Sequence, residues 1–151
     1  MLPFGAVLRD PTRPSPQARP GRPRVLVVDD LPLMREAICR MLEHAGMTVV
    51  AATGDQPRTL SAVRDLAPDV ILLDLRMRHV DALDVIRSIK QLDQAAQVVV
   101  HMGPSRPDLM AQALEAGAAT VPARDGTPWE LLRAVDRAYR TRRSSAGASG
   151  E

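Results

Sequence analysis

The apolar positions of this chain form short unbroken runs that alternate with stripes at helical spacing. Val25-Leu26-Val27-Val28 and Val70-Ile71-Leu72-Leu73 are such runs. Neither shows the apolar-polar alternation of a half-wet strand, so both suit strands covered on two faces. Pro32 opens a stripe of Met34, Ala37, Ile38, Met41, Leu42 and Ala45 that Gly46 closes, which predicts a first helix. Thr48 to Ala52 predicts a second strand, and Gly54-Asp55 turns the chain into a helix marked by Leu60, Val63 and Leu66. After the strand that ends in Asp74, the residues Val85, Ile86 and Ile89 predict a third helix and Val98-Val99-Val100 a fourth strand. Leu109, Met110, Ala113 and Leu114 predict a fourth helix that stops at Gly117, and a short fifth strand is expected around Thr120 and Val121. The last helix has a capping-box start, with Thr127 as N-cap, Pro128 in the first turn and Glu130 three residues after the cap. Leu131, Leu132, Val135 and Tyr139 then face inward.

Strand and helix alternate throughout, which demands a parallel sheet with helices on both faces, a doubly wound α/β fold. Ligands of such sheets collect beyond the carboxyl ends of the strands. Three acids sit there: Asp29 and Asp30 after the first strand and Asp74 after the third. Clustered carboxylates call for a cation, and ligation by oxygen alone suits Mg²⁺. Taken singly, Asp30 is also a plain helix cap and Asp74 an ordinary strand-end acid.

Composition sets the boundaries. Residues 1–23 carry Pro3, Pro11, Pro14, Pro16, Pro20 and Pro23 with arginines between, a composition expected to stay disordered. Residues 141–151 are Arg, Ser, Thr, Gly and Ala with a final Glu and no apolar period, so they are expected to form a flexible tail, leaving 24–140 as the domain. The net charge is +2, and Lys90 is the only lysine, so the basic character is almost wholly arginine. Arg9, Arg13, Arg19 and Arg22 on the arm and Arg140, Arg142 and Arg143 near the end can meet phosphates or acidic surfaces, or simply solvent. A lone Cys39 excludes a disulfide framework and a cysteine zinc site. No segment approaches the ~18 apolar residues of a membrane span, and no signal-peptide core is present, so the expected location is the cytoplasm.

In their order and spacing, Leu26-Val27-Val28-Asp29-Asp30, Pro68-Asp69-Val70 through Asp74-Leu75-Arg76-Met77, and Ala113-Leu114-Glu115-Ala116-Gly117-Ala118 resemble the receiver domain of two-component response regulators over essentially all of 24–140. The resemblance implies a flavodoxin-like doubly wound sheet of five parallel strands in the order 2-1-3-4-5. It implies that Asp74 is the phosphoacceptor, attacking a phosphohistidine to become an acyl phosphate. Asp29, Asp30, Asp74 and the backbone carbonyl of Arg76 would then hold Mg²⁺.

Three departures accompany it. The family's Ser or Thr at the end of strand four falls on Met102, whose thioether is a weak acceptor and no donor. Ser105 lies three residues on. The family lysine of strand five falls on Arg124, which keeps the charge in a bulkier planar fork. The switch aromatic becomes Val121, while the aromatics Phe4, Trp129 and Tyr139 lie elsewhere. In the loop after Asp74, Arg78 and Ala82 replace the family's proline and glycine, and His79 reads as a solvated loop residue; His44 and His101 show no metal-ligand spacing.

The function expected is that of a stand-alone atypical receiver in a phosphorelay. It would meet a histidine kinase or phosphotransfer protein and act through protein contacts, not as an enzyme beyond at most weak self-phosphorylation or dephosphorylation, with no direct DNA binding and no membrane; homodimer formation stays open. The alternative is an interaction scaffold that keeps the fold without using phosphorylation. A flavin protein or small phosphatase is disfavoured, since Asp29-Asp30-Leu31-Pro32 offers no Ser/Thr/Gly phosphate cradle and no Asp-x-Asp motif occurs.

Overall fold

The computed structural model of the chain describes residues 22–101, 107–119 and 127–148. Its elements run β1 (Arg24–Val28), α1 (Pro32–His44), β2 (Thr48–Thr53), α2 (Gln56–Leu66), β3 (Val70–Asp74), α3 (Ala82–Leu92), β4 (Gln97–His101), α4 (Pro107–Ala116) and α5 (Pro128–Ala148). The described strands make one four-stranded sheet in the order β2-β1-β3-β4, parallel at every pairing. Thr120 and Val121, where a fifth strand was expected, lie outside the described residues, so the five-stranded order is seen only as far as 2-1-3-4.

The two-residue period of a strand divides the core between the two faces. Val25, Val27, Val70, Leu72 and Val99 pack with Ile38 and Leu42 of α1 and Ala134, Val135, Ala138 and Tyr139 of α5. Leu26, Val28, Ile71, Leu73, Val98 and Val100 pack on the other face with Ala62 and Val63 of α2, Val85, Ile86 and Ile89 of α3, and Ala113 of α4. Burial on both faces explains why β1 and β3 read as unbroken apolar runs. A Leu72→Ala truncation in such a site costs on the order of 2–5 kcal/mol.

The helix ends follow the sequence signals. Asp55 caps α2 by accepting from the Arg58 N–H at 2.9 Å, and Asp81 caps α3 by accepting from the Asp84 N–H at 3.2 Å. Thr127 Oγ1 accepts from the Glu130 N–H at 3.3 Å. After α2, Ala67 adopts a left-handed φ of 44°. Pro68 disfavours helical geometry at the residue before it, and Arg24 holds the turn by donating to the carbonyls of Leu66 and Ala67 at 2.8 Å each.

One boundary differs from expectation. The helix α5 does not give way to a tail at 141 but continues to Ala148. Its last turns carry no apolar stripe and are held instead by polar contacts. Arg142 reaches Asp93 at 3.1 Å and lies 4.0 Å from Asp69. Arg143 stacks 5.8 Å from the Tyr139 ring centroid, and the hydroxyls of Ser144 and Ser145 donate to carbonyls one turn back. Residues 149–151, and residues 1–21 of the expected arm, lie outside the described residues.

Candidate functional site

β1 and β3 lie side by side with Val28 opposite Leu73, which brings the residues that follow, Asp29 and Asp74, to one point on the carboxyl edge. Carboxylate oxygens of Asp29, Asp30 and Asp74 all lie within 4.8 Å of one another. Asp29 is fully buried and Asp74 is 7% exposed. Asp29 Oδ1 accepts from the Leu31 N–H at 2.9 Å, and Asp74 Oδ1 accepts from the Arg76 N–H at 2.8 Å. Asp30 Oδ2 accepts from the Arg78 N–H at 2.7 Å. A proline at 78 would lack that N–H, so the loop departure noted in the sequence has a direct consequence: it ties Asp30 to the turn after β3.

The acids are electrostatically unfavourable as they stand. Burial raises the pKa of Asp29 from 3.8 to about 6, against the opposing Leu31 hydrogen bond, and the neighbouring charges of Asp74 and Asp30 push it the same way. Asp29 Oδ2 and Asp30 Oδ1 are buried without a hydrogen-bond partner. Unpaired carboxylate oxygens converging at this spacing fit a hard divalent cation such as Mg²⁺. That ion would supply charge neutralisation for an incoming phosphoryl group.

Arg35, which the sequence did not mark, supports the loop. Its Nη1 donates to the Asp29 carbonyl at 2.8 Å, and a Cβ at Gly54 would come within 2.6 Å of the same atom. His101, which shows no metal-ligand spacing in the sequence, is the direct ladder partner of Asp74. The signal for both was positional: Arg35 lies one turn into the helix that follows the acidic pair, and His101 ends its strand at the level of Asp74.

The remaining expected residues divide. The side chain of Arg76 is exposed, and its N–H already bonds Asp74. His79 is exposed in the loop. Lys90 donates to the carbonyls of Gln94 and Ala96 at the start of β4, the opposite edge of the sheet from the acids. Met102, Ser105, Val121 and Arg124 lie outside the described residues.

The model of the response regulator receiver domain matches residues 25–136. The chain belongs to the receiver-domain family of response regulators. It is 34% identical over 118 residues to the probable transcriptional regulatory protein NarL of Mycobacterium tuberculosis, covering 78% of this chain and 55% of that protein. The nitrate/nitrite response regulator protein NarP of Escherichia coli is likewise 34% identical over 122 residues, 80% of this chain and 55% of its own length. The chain thus spans about half the length of these curated relatives. Among solved structures, the signal receiver domain of the putative response regulator NarL from M. tuberculosis superposes with a TM-score of 0.71 at 32% identity, covering 79% of this chain and 97% of that one. As a receiver, the chain is a signalling domain of two-component systems, and no helix among its described residues is long and apolar enough to cross a membrane.

Proposed function

We propose that this receiver accepts a phosphoryl group on Asp74 from a histidine kinase or phosphotransfer protein, in the cytoplasm, and passes the signal on through protein contacts. The observation that carries the proposal is the convergence of Asp29, Asp30 and Asp74, with a buried carboxylate oxygen left unpaired on each of Asp29 and Asp30. In the transfer, an Asp74 carboxylate oxygen forms a bond to phosphorus as the bond from phosphorus to the donor's imidazole nitrogen breaks, and that nitrogen leaves with the electron pair. Asp74 Oδ1 is held by the Arg76 N–H, which leaves Oδ2 as the attacking atom. Asp29, Asp30, Asp74 and the Arg76 carbonyl would hold Mg²⁺. The arginine at 124 is assigned the role of the family lysine, and Met102 stands where a hydroxyl would steady the phosphoryl group.

A protein donor has a surface to meet. At the start of α1, beside the acids, Leu33 is 83% exposed, with Leu31 and Met34 about half exposed, an apolar rim suited to a partner helix.

The test is incubation with a small-molecule phosphodonor and Mg²⁺, followed by intact mass. Wild type should gain one phosphoryl group and Asp74→Asn none. No gain in wild type would favour the scaffold reading. The stand-alone reading is tested by the mass of the native polypeptide in cell extract, which should match this chain.

A further inference from the structure

His101 ends β4 in the same row as the acids. On the face covered by α1 and α5, the buried positions run Val25 and Val27 in β1, Val70 and Leu72 in β3, and Val99 in β4. Two residues beyond the last of each come Asp29, Asp74 and His101, the next positions on that face. The Asp29 N–H still bonds the Thr53 carbonyl at 3.0 Å, so the ladder persists through this level. Asp74 and His101 are Cα partners in the parallel ladder, on strands separated by about 4.8 Å. Three adjacent strands therefore present carboxylate, carboxylate and imidazole in register along one edge.

The imidazole is incomplete. His101 Nε2 is buried without a hydrogen-bond partner. In either protonation state an imidazole carries at least one N–H donor. A buried polar atom left unpaired carries a desolvation cost. The neighbouring Asp74 is the group that would gain phosphoryl oxygens.

We propose that His101 is a phosphoryl-binding residue: its imidazole N–H donates to a phosphoryl oxygen carried by Asp74, supplying the donor that the thioether of Met102 cannot. The inference rests on Asp74 being the phosphoacceptor. No bond is made or broken by His101. Its contact exists only when the phosphoryl group is present, so it stabilises the phosphorylated state over the free one.

The experiment is titration of beryllium fluoride with Mg²⁺, as a phosphoryl mimic, into wild type, His101→Phe and His101→Gln, with Mg²⁺ alone titrated in parallel. A hydrogen bond to a charged group accounts for roughly a ten- to hundredfold change in affinity. The Phe variant should lose that much affinity for the mimic, Gln should recover part of it through its amide donor, and the three affinities for Mg²⁺ alone should agree within about twofold. Equal binding of the mimic by wild type and the Phe variant would overturn the role of His101 alone. A parallel loss of Mg²⁺ binding would also overturn it, by exposing a structural effect. A wild type that binds Mg²⁺ but no mimic would overturn the phosphoacceptor reading and this one with it. Should the Phe variant fail to fold, the ¹⁵N resonance of Nε2 in wild type decides: it should shift when the mimic is added, and an unchanged resonance would refute the contact.

Discussion

Asp29→Asn should make the metal-free protein more stable at neutral pH, although it removes a residue of the site. The folded-state pKa of about 6 exceeds the reference value of 3.8. The folded protein therefore binds the extra proton between these values, and stability falls as pH rises through that window. At about 1.4 kcal/mol per pH unit, holding Asp29 ionised at pH 7 costs roughly 3 kcal/mol. Asparagine keeps the Oδ1 acceptor that the Leu31 N–H uses at 2.9 Å, and its amide replaces an oxygen that has no partner. An unsatisfied buried amide takes back about 1–2 kcal/mol. The net gain is then about 1–2 kcal/mol, a rise in melting temperature of roughly 3–8 °C. The assay is thermal melting of both proteins in chelator at pH 7 and pH 4. Near pH 4 the wild-type residue is protonated in the folded state and the advantage should shrink by about 2 kcal/mol, leaving the variant no more stable than wild type. Saturating Mg²⁺ should raise the melting point of wild type far more than that of the variant. A variant that melts lower at pH 7, or by the same margin at both pH values, would refute the reasoning.

Mg²⁺ must displace the Asp29 proton, so its apparent affinity by calorimetry should fall about tenfold per pH unit below the pKa of about 6 and level off above it; a flat profile from pH 5 to 7 would contradict this. Arg142→Ala removes a partly buried pair with Asp93 at 3.1 Å and should cost about 1–2 kcal/mol. A chain ended at 140 should melt lower than one ended at 148, and equal melting would show that the last turns of α5 add nothing. Ala67, at φ 44°, bears the penalty of a side chain in the left-handed region, so Ala67→Gly should stabilise by roughly 0.5–1 kcal/mol in denaturant unfolding. A destabilised variant would show that the Ala67 methyl group contributes packing that outweighs the strain.

Much of this was legible in the chain because it depends on local pattern. Buried parallel strands must be apolar on both sides, so β1 and β3 announced themselves, and the acids at their ends fell together once the strands were adjacent. What escaped depends on partners distant in sequence. Thr141 to Ala148 has no apolar period, and its helix is tied down by Arg142 to Asp93, a contact spanning 49 positions. Arg35 looked like any solvated helix residue until Gly54 left room for its guanidinium beside the Asp29 carbonyl. His101 was judged by metal-ligand spacing along the chain, whereas its meaning lies across the sheet, in the β3–β4 register.

The central claim is that Asp74 itself carries the phosphoryl group, and the most direct measurement is chemical. Protein treated with a phosphodonor and Mg²⁺ is reduced with borohydride, which converts an aspartyl phosphate to homoserine, and its peptides are then read by mass spectrometry. The account predicts homoserine at position 74, lost when Mg²⁺ is withheld. Homoserine at another aspartate, or none in a protein that has bound Mg²⁺, would contradict it.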